Sequence, residues 1–361
     1  MFANIFHTEI QQRDSQPLYI SENEVKKLLS WPLIFEACEQ AIRSVSRSES
    51  SENQPSAIQP ARQRINMNND TVAVFSMLGV INNYQLPSVG GSKTFNTIGH
   101  KMVTSFPKNE QLEPPLPNIL ASIFLFDTET GRLRSIVEGT EITTWRTAAC
   151  SLVATKYLYF NRIDDPTTTS VLTIVGCGVQ GRIHAIGMCN TFNISTVHLW
   201  NRTKAKATIL AAELEGVKST FLNKNLKIFV HDAVDEWVAE SDIIVTATSA
   251  RTPFLSANIL KPNVHINAVG AGINHHSELD GSVYGMSKIY VDSWAGAQSE
   301  LKTLNYPIEG EVGEVINSVK QTPTQKWTIF QSLGMAVEDA AVAQLIVELY
   351  EKGKRTEQTV G

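Results

Sequence analysis

The residues with the plainest chemistry are 176–181, Gly-Cys-Gly-Val-Gln-Gly, a complete G-x-G-x-x-G. The run Ser170 to Val175 before them is short, apolar and β-branched, and reads as a buried parallel strand. Arg182 to Cys189 after them reads as a helix. That strand–glycine–helix order is the context a dinucleotide-binding turn requires. Gly176 permits the tight turn, Gly178 lets backbone amides approach a pyrophosphate, and Gly181 lets the helix pack on the strand. The phosphates then meet the positive end of the helix dipole. The second strand, 196–200, ends in Asn201-Arg202-Thr203. NAD binders carry an acidic residue here for the ribose 2′-hydroxyl. An amide followed by a guanidinium suits a 2′-phosphate instead, and Lys204 and Lys206 add to the positive field. A capped helix start with solvated cations is the plainer reading of the same residues, and the two are compatible. NADPH is the expected cofactor.

The elements that must position this turn alternate. Strands are expected at 171–176, 196–200, 227–230, 242–248, 264–269 and 288–292, and helices at 180–190, 203–215, 233–240 and 294–304. Such spacing implies a doubly wound parallel sheet. Ahead of it, Ser21 and Glu24 form a capping box for a helix to Leu29, and Pro32 opens another to about Ser44. Residues 46–57 read as an exposed loop. Strands follow at 71–78 and 121–126, the latter returning through the turn 127–131 along 132–138. The stretch 99–118, with Pro107, Pro114, Pro115 and Pro117, reads as a surface loop. Helical spacing covers 142–159 and again 334–350, a tail expected to return to the first domain.

Composition narrows the class. The chain has 361 residues, 42% hydrophobic and 19% charged, as in soluble globular proteins. A net charge of -5 argues against a nucleic-acid partner, and no run approaches the ~18 apolar residues of a membrane span. Residues 1–14 lack the layout of a signal peptide. Cys38, Cys150, Cys177 and Cys189 show no metal-ligand spacing, so no metal is expected and the thiols read as reduced, in a cytoplasmic protein.

Several stretches together resemble the ornithine cyclodeaminase/mu-crystallin family. They are Gln59-Pro60-Ala61-Arg62, Ser92-Lys93, Arg146-Thr147-Ala148-Ala149, the glycine turn, Trp200-Asn201-Arg202-Thr203, 265–271 and Ser332-Leu333-Gly334-Met335-Ala336-Val337-Glu338-Asp339. They recur in family order over about residues 18–352, and the Asn201-Arg202-Thr203 and Ser332–Asp339 stretches point to the mu-crystallin branch, the NADPH-dependent ketimine reductases. The resemblance implies an α/β homodimer with a Rossmann-type nucleotide domain (146–319) and a split α+β substrate and dimerisation domain (1–145 with 320–361). It places the family's cations on Arg62, Lys93 and Arg146. Alone, Arg62 and Lys93 read more readily as solvated, and Arg146, among small residues, as a buried cation needing a partner, for which a structural carboxylate would serve. Together they would hold a substrate carboxylate, with hydride passing to the adjoining C=N carbon. Glu300 falls on an acidic pocket position, reading equally well as an exposed residue of the helix 294–304, and Thr147, Val179, Gln180, Thr248, Ser249, Val269 and Ser332 complete the expected cofactor contacts.

Two departures bear on the substrate. Ornithine cyclodeaminases carry an aspartate where this chain has Gly272, which argues against deamination of ornithine. His275 and His276 follow and read as a surface pair more readily than as catalysts. Mu-crystallins have polar residues where this chain has Ile119 and Leu120 beside Asn118. The leading expectation is reduction of cyclic ketimines such as piperideine- or pyrroline-2-carboxylate. An amino-acid or opine dehydrogenase of the same family is the nearest rival, and a non-catalytic NADPH-dependent small-ligand binder, of the thyroid-hormone-binding kind, is the rival from another class.

Overall fold

The computed structural model describes residues 16–47, 55–67, 72–165, 167–235, 237–270, 274–324 and 327–360. The expectations placed on residues 1–14, 48–54, Thr71, Gly272 and Ile273 concern positions outside these. The first sheet contains β1 (Leu18–Ile20), β2 (Ala57–Ile58), β3 (Gln63–Met67), β4 (Val72–Gln85), β5 (Thr94–Ser105), β6 (Ile119–Phe126) and β7 (Leu133–Glu138). Its order is β1-β7-β6-β5-β4-β2, with β3 also on β4. The expected 99–118 loop is corrected here. Residues 99–105 pair with β4 on one side and β6 on the other, and only Pro107–Gln111 winds into a short 3₁₀ turn. Successive strand residues face opposite ways, and the inward set of β5 is Phe95, Thr97, Gly99, Lys101 and Val103. A glycine, a threonine and a lysine in that set hide the alternation from a hydrophobicity reading.

The helices α1 (Glu22–Leu28), α2 (Trp31–Val45) and α3 (Thr140–Leu158) pack around this sheet with the C-terminal helix, Ala336–Val360. That last helix lies flush on β4 and β5 because Gly79 and Gly99 face each other across the pair. A Cβ on Gly79 would sit 2.8 Å from the Val337 nitrogen, and one on Gly99 2.5 Å from the Ala340 Cβ. The close approach sets the helix's first turn against Lys101.

The second sheet is wholly parallel: β8 (Ser170–Val175), β9 (Ile194–Trp200), β10 (Lys227–Val230), β11 (Ile243–Thr246), β12 (His265–Ala268), β13 (Ser287–Val291), β14 (Ile308–Glu311) and β15 (Trp327–Gln331). Its order is β10-β9-β8-β11-β12-β15-β13-β14. The chain winds one way to β10 and the other way from β11, so the crevice at the β8/β11 carboxyl ends is the switch point where dinucleotides bind. The helices α4 (Val179–Thr191), α5 (Lys204–Val217), α6 (Gly281–Met286), α7 (Trp294–Glu300) and α8 (Val312–Ile316) follow strands of this sheet, and Ala336–Val360 is α9.

Three expectations are revised. No α-helix forms over the described part of 233–240, where only Val238–Glu240 makes a 3₁₀ turn, because Trp237 is drawn into a stack with His198 and His231. β15 lies between β12 and β13, so the nucleotide sheet extends past residue 319 and only the chain beyond Gln331 returns to the first sheet. The boundary at 145/146 falls inside one continuous helix. In α3, Trp145 stacks on Trp31 while Ser151 meets the His184 ring of α4 at 2.9 Å, so α3 serves both sheets.

Candidate active site

At the carboxyl end of β8 each glycine of the turn meets a distinct demand. Gly176 has φ +100°, and a Cβ there would lie 2.6 Å from the Ala247 carbonyl oxygen. A Cβ on Gly181 would overlap the Gly176 carbonyl, whereas nothing lies within 4 Å of one on Gly178, which caps α4 at the open side. These residues fit a pyrophosphate at a helix N-terminus. The turn opens into a cleft of about 740 Å³ whose walls include Arg202, Thr203, Lys206, Thr248, Ser249 and Arg251. No carboxylate lines it among the described residues, and Asp232 at the end of β10 is ion-paired to Lys204 at 2.7 Å. Asn201 is used within the turn: its Oδ1 accepts from the Cys177 N–H at 2.9 Å and its Nδ2 donates to the Thr203 carbonyl at 3.0 Å. Val179 is exposed on the first turn of α4, and the Gln180 Oε1 is buried without a protein partner. Val269 and Ser332 leave the ends of β12 and β15, tied by their N–H groups to the Thr246 and Ala268 carbonyls. Thr147 bonds back to the Thr143 carbonyl of its own helix.

A second constellation forms where α3, β5, α7 and the start of α9 meet. Arg146 is buried; its Nη1 lies 3.0 Å from Glu338 and its Nε 3.2 Å from Asp339. The Lys101 Nζ lies 2.5 Å from the other Asp339 oxygen, with its side chain 1% exposed. Arg62, just ahead of β3, holds Glu300 at 2.7 Å and donates to the Leu333 and Gly334 carbonyls. Glu300 in turn meets the His275 Nε2 at 2.6 Å, while His276 bonds Thr303. Gly334 has φ +83°, and a Cβ there would lie 2.7 Å from the Arg146 Nη1. Arg62 and Arg146 therefore reach the turn 333–334 from two sides. The Asp292 carboxylate fixes that turn, accepting from the Leu333 and Gly334 N–H groups at 2.8 and 2.6 Å.

Arg62, Arg146 and Glu300 come together, but Lys93 does not. Its side chain is 58% exposed and pairs with Glu348, nine residues and about 13 Å along α9 from Asp339. The third cation is Lys101, missed because it lay in a stretch read as loop. Nor are the cations bare, since each already faces a carboxylate. Burial opposes the Arg146 charge, but Asp339 and Glu338 outweigh it and hold the guanidinium cationic. Burial brings Lys101 down to about 8 against the pull of Asp339, and pushes Glu338 up to about 7 against Arg146. Ile119 and Leu120 stand exposed at the start of β6.

Comparison with known proteins agrees with this layout. The profile of the ornithine cyclodeaminase/mu-crystallin family matches residues 37–354. The chain is 33% identical over 344 residues to ketimine reductase mu-crystallin of Macropus fuliginosus, covering 94% of this chain and 99% of that protein. It is 32% identical over 280 residues to a Delta(1)-pyrroline-2-carboxylate reductase of Bacillus thuringiensis subsp. konkukian, covering 74% and 80%. Among solved structures, the Delta(1)-pyrroline-2-carboxylate reductase of Thermococcus litoralis in complex with NADH and L-proline is similar with a TM-score of 0.76 at 28% identity, over 93% of this chain and 98% of that one. This protein belongs to the ornithine cyclodeaminase/mu-crystallin family.

Proposed function

We propose that this protein is an NADPH-dependent reductase that converts cyclic ketimines, α-imino carboxylates such as piperideine- or pyrroline-2-carboxylate, to cyclic amino acids. The observation that carries this reading is that Arg62 and Arg146 converge on the turn 333–334 while Lys101 shares Asp339 with Arg146, at the same carboxyl end of the second sheet as the glycine turn. The names of the relatives, a ketimine reductase and pyrroline-2-carboxylate reductases, support it. When bound, the reduced nicotinamide supplies hydride to the carbon of a C=N bond. Arg62 and Arg146 hold the substrate carboxylate, which takes the place of Glu300 on Arg62 and leaves Glu300 with His275. Glu338, near 7, takes up a proton when a further negative charge reaches Arg146. Lys101, near 8, is protonated at neutral pH and keeps a proton on the imine nitrogen.

The preference for NADPH is supported by Arg202, Lys206 and Arg251 on a cleft wall without a carboxylate among the described residues. A homodimer is supported by the outward face of the first sheet, where Ile65, Met67, Leu78, Met102 and Leu120 stand exposed. An apolar face of that kind marks an association surface. The test is oxidation of NADPH or NADH with a preformed cyclic ketimine or with a keto acid plus an amine, alongside ammonia release from L-ornithine plus NAD. Turnover of the ketimine with NADPH is expected. Turnover only with a keto acid plus amine would make it an opine or amino-acid dehydrogenase, and ammonia release from ornithine or binding without turnover would overturn the reading.

A further inference from the structure

One buried carboxylate takes no part in the chemistry above, yet it touches both loops beneath the cofactor cleft. Glu278 precedes α6 and is 1% exposed. Its Oε1 accepts from the Thr248 N–H at 2.7 Å and the Thr248 hydroxyl at 2.6 Å. Its Oε2 accepts from the Thr246 hydroxyl at 2.7 Å and the Gly270 N–H at 3.0 Å. Four donors match the lone-pair capacity of an ionised carboxylate, and no cation contacts it among the described residues. Burial pushes this carboxyl up, and the four hydrogen bonds oppose that rise.

The four donors belong to the last residue of β11 and to the segments that leave β11 and β12. Residues 247–251 line the cleft, and the Ala247 carbonyl is the surface against which Gly176 closes its turn. On the other side, a Cβ on Gly270 would collide with the Glu278 carboxyl group, so that position accepts only the bare backbone. Each oxygen takes one backbone N–H and one hydroxyl. Hydroxyls can rotate to accept, but an amide N–H cannot. A glutamine here must therefore point its NH₂ at a backbone N–H whichever way it is turned.

We infer that Glu278 is a positioning residue for the cofactor: its carboxylate clamps the β11 and β12 exit loops in the spacing that the dinucleotide requires. This rests on the cofactor reading proposed above. Among the described residues no cation pairs with this charge, so the clamp works through hydrogen bonds to the anion, which are stronger than neutral ones. Its geometry is specific to an ionised acid.

The test is titration of the purified full-length protein with NADPH, read by protein fluorescence, alongside steady-state KM values for NADPH and for a cyclic ketimine. Glu278→Gln is expected to weaken NADPH binding about tenfold, the effect of one opposed buried donor shared with the loop's own relaxation, while KM for the ketimine stays near wild type. Thr246→Val removes one hydroxyl donor without touching the cleft, and is expected to give a smaller loss in the same parameter. It also serves if Glu278→Gln fails to fold. Wild-type NADPH affinity in either folded variant, or equal losses in both KM values, would overturn the positioning role alone. Failure of the wild-type protein to bind NADPH or NADH would overturn the cofactor reading and this inference with it.

Discussion

Replacement of Lys101 by Met separates chemistry from folding. Lys101 is fully buried, and its ammonium sits near 8 where an exposed lysine is 10.5. That lowering corresponds to about 3 kcal/mol of unfavourable charge burial at neutral pH. The sign follows from the two states. Between about pH 8 and 10.5 the unfolded chain binds the extra proton, so native stability rises with pH across that window. Lys101→Met removes this cost, keeps the volume, and leaves Asp339 its contact with the Arg146 Nε at 3.2 Å. The variant should therefore melt no lower than wild type at pH 7. Its kcat/KM for a cyclic ketimine should fall about 10²- to 10⁴-fold, about 3–5 kcal/mol, the range of a positioned proton donor. NADPH oxidation gives the rate, thermal melting the stability, and fluorescence titration the intact cofactor binding. Wild-type activity should decline above about pH 8 as Lys101 loses its proton, a limb absent from the variant's residual rate. A folded Lys101→Met protein within about threefold of wild-type kcat/KM would refute the role.

Arg146→Ala leaves Glu338 buried without its cation and should cost about 3–5 kcal/mol at pH 8; because Glu338 is already raised to about 7, melting curves should show the deficit shrinking as pH falls through 7. Activity should drop at least about hundredfold. Arg202→Ala should raise KM for NADPH about tenfold while leaving KM for NADH unchanged in parallel assays. Leu78→Glu places a charge on the exposed outward face and should convert a dimer to a monomer in analytical ultracentrifugation, with an unchanged melting temperature at low concentration.

The nucleotide half was legible because its signals are local. The glycine turn, the β-branched run before it and the strand–helix alternation are all read within one short window, and the six expected strands all fall within two residues of expectation. The half built on the first sheet was harder to read. β5 keeps its inward face with Gly99 and Lys101, residues whose place depends on α9, more than 200 positions away. A lysine between a glycine and a valine on alternating positions was the available signal, outweighed by four prolines further along. The pairing of Arg62 with Glu300 and of Arg146 with Glu338 and Asp339 could not be read either. It arises from segments that meet only after both sheets have formed; Lys93, named from the resemblance, instead pairs with Glu348 farther along α9. β15 was overlooked because its neighbours in the sheet, β12 and β13, lie far from it in sequence.

Hydride transfer from the nicotinamide to a C=N bond beside a carboxylate held by Arg62 and Arg146 is the step on which the proposed function turns. Incubation with NADPH deuterated on the transferable nicotinamide carbon and a preformed cyclic ketimine tests it, with the product analysed by NMR. Deuterium on the carbon bearing the carboxylate of the cyclic amino acid is the predicted result. A product without label at that carbon, or cofactor bound with no label transferred, would contradict the account.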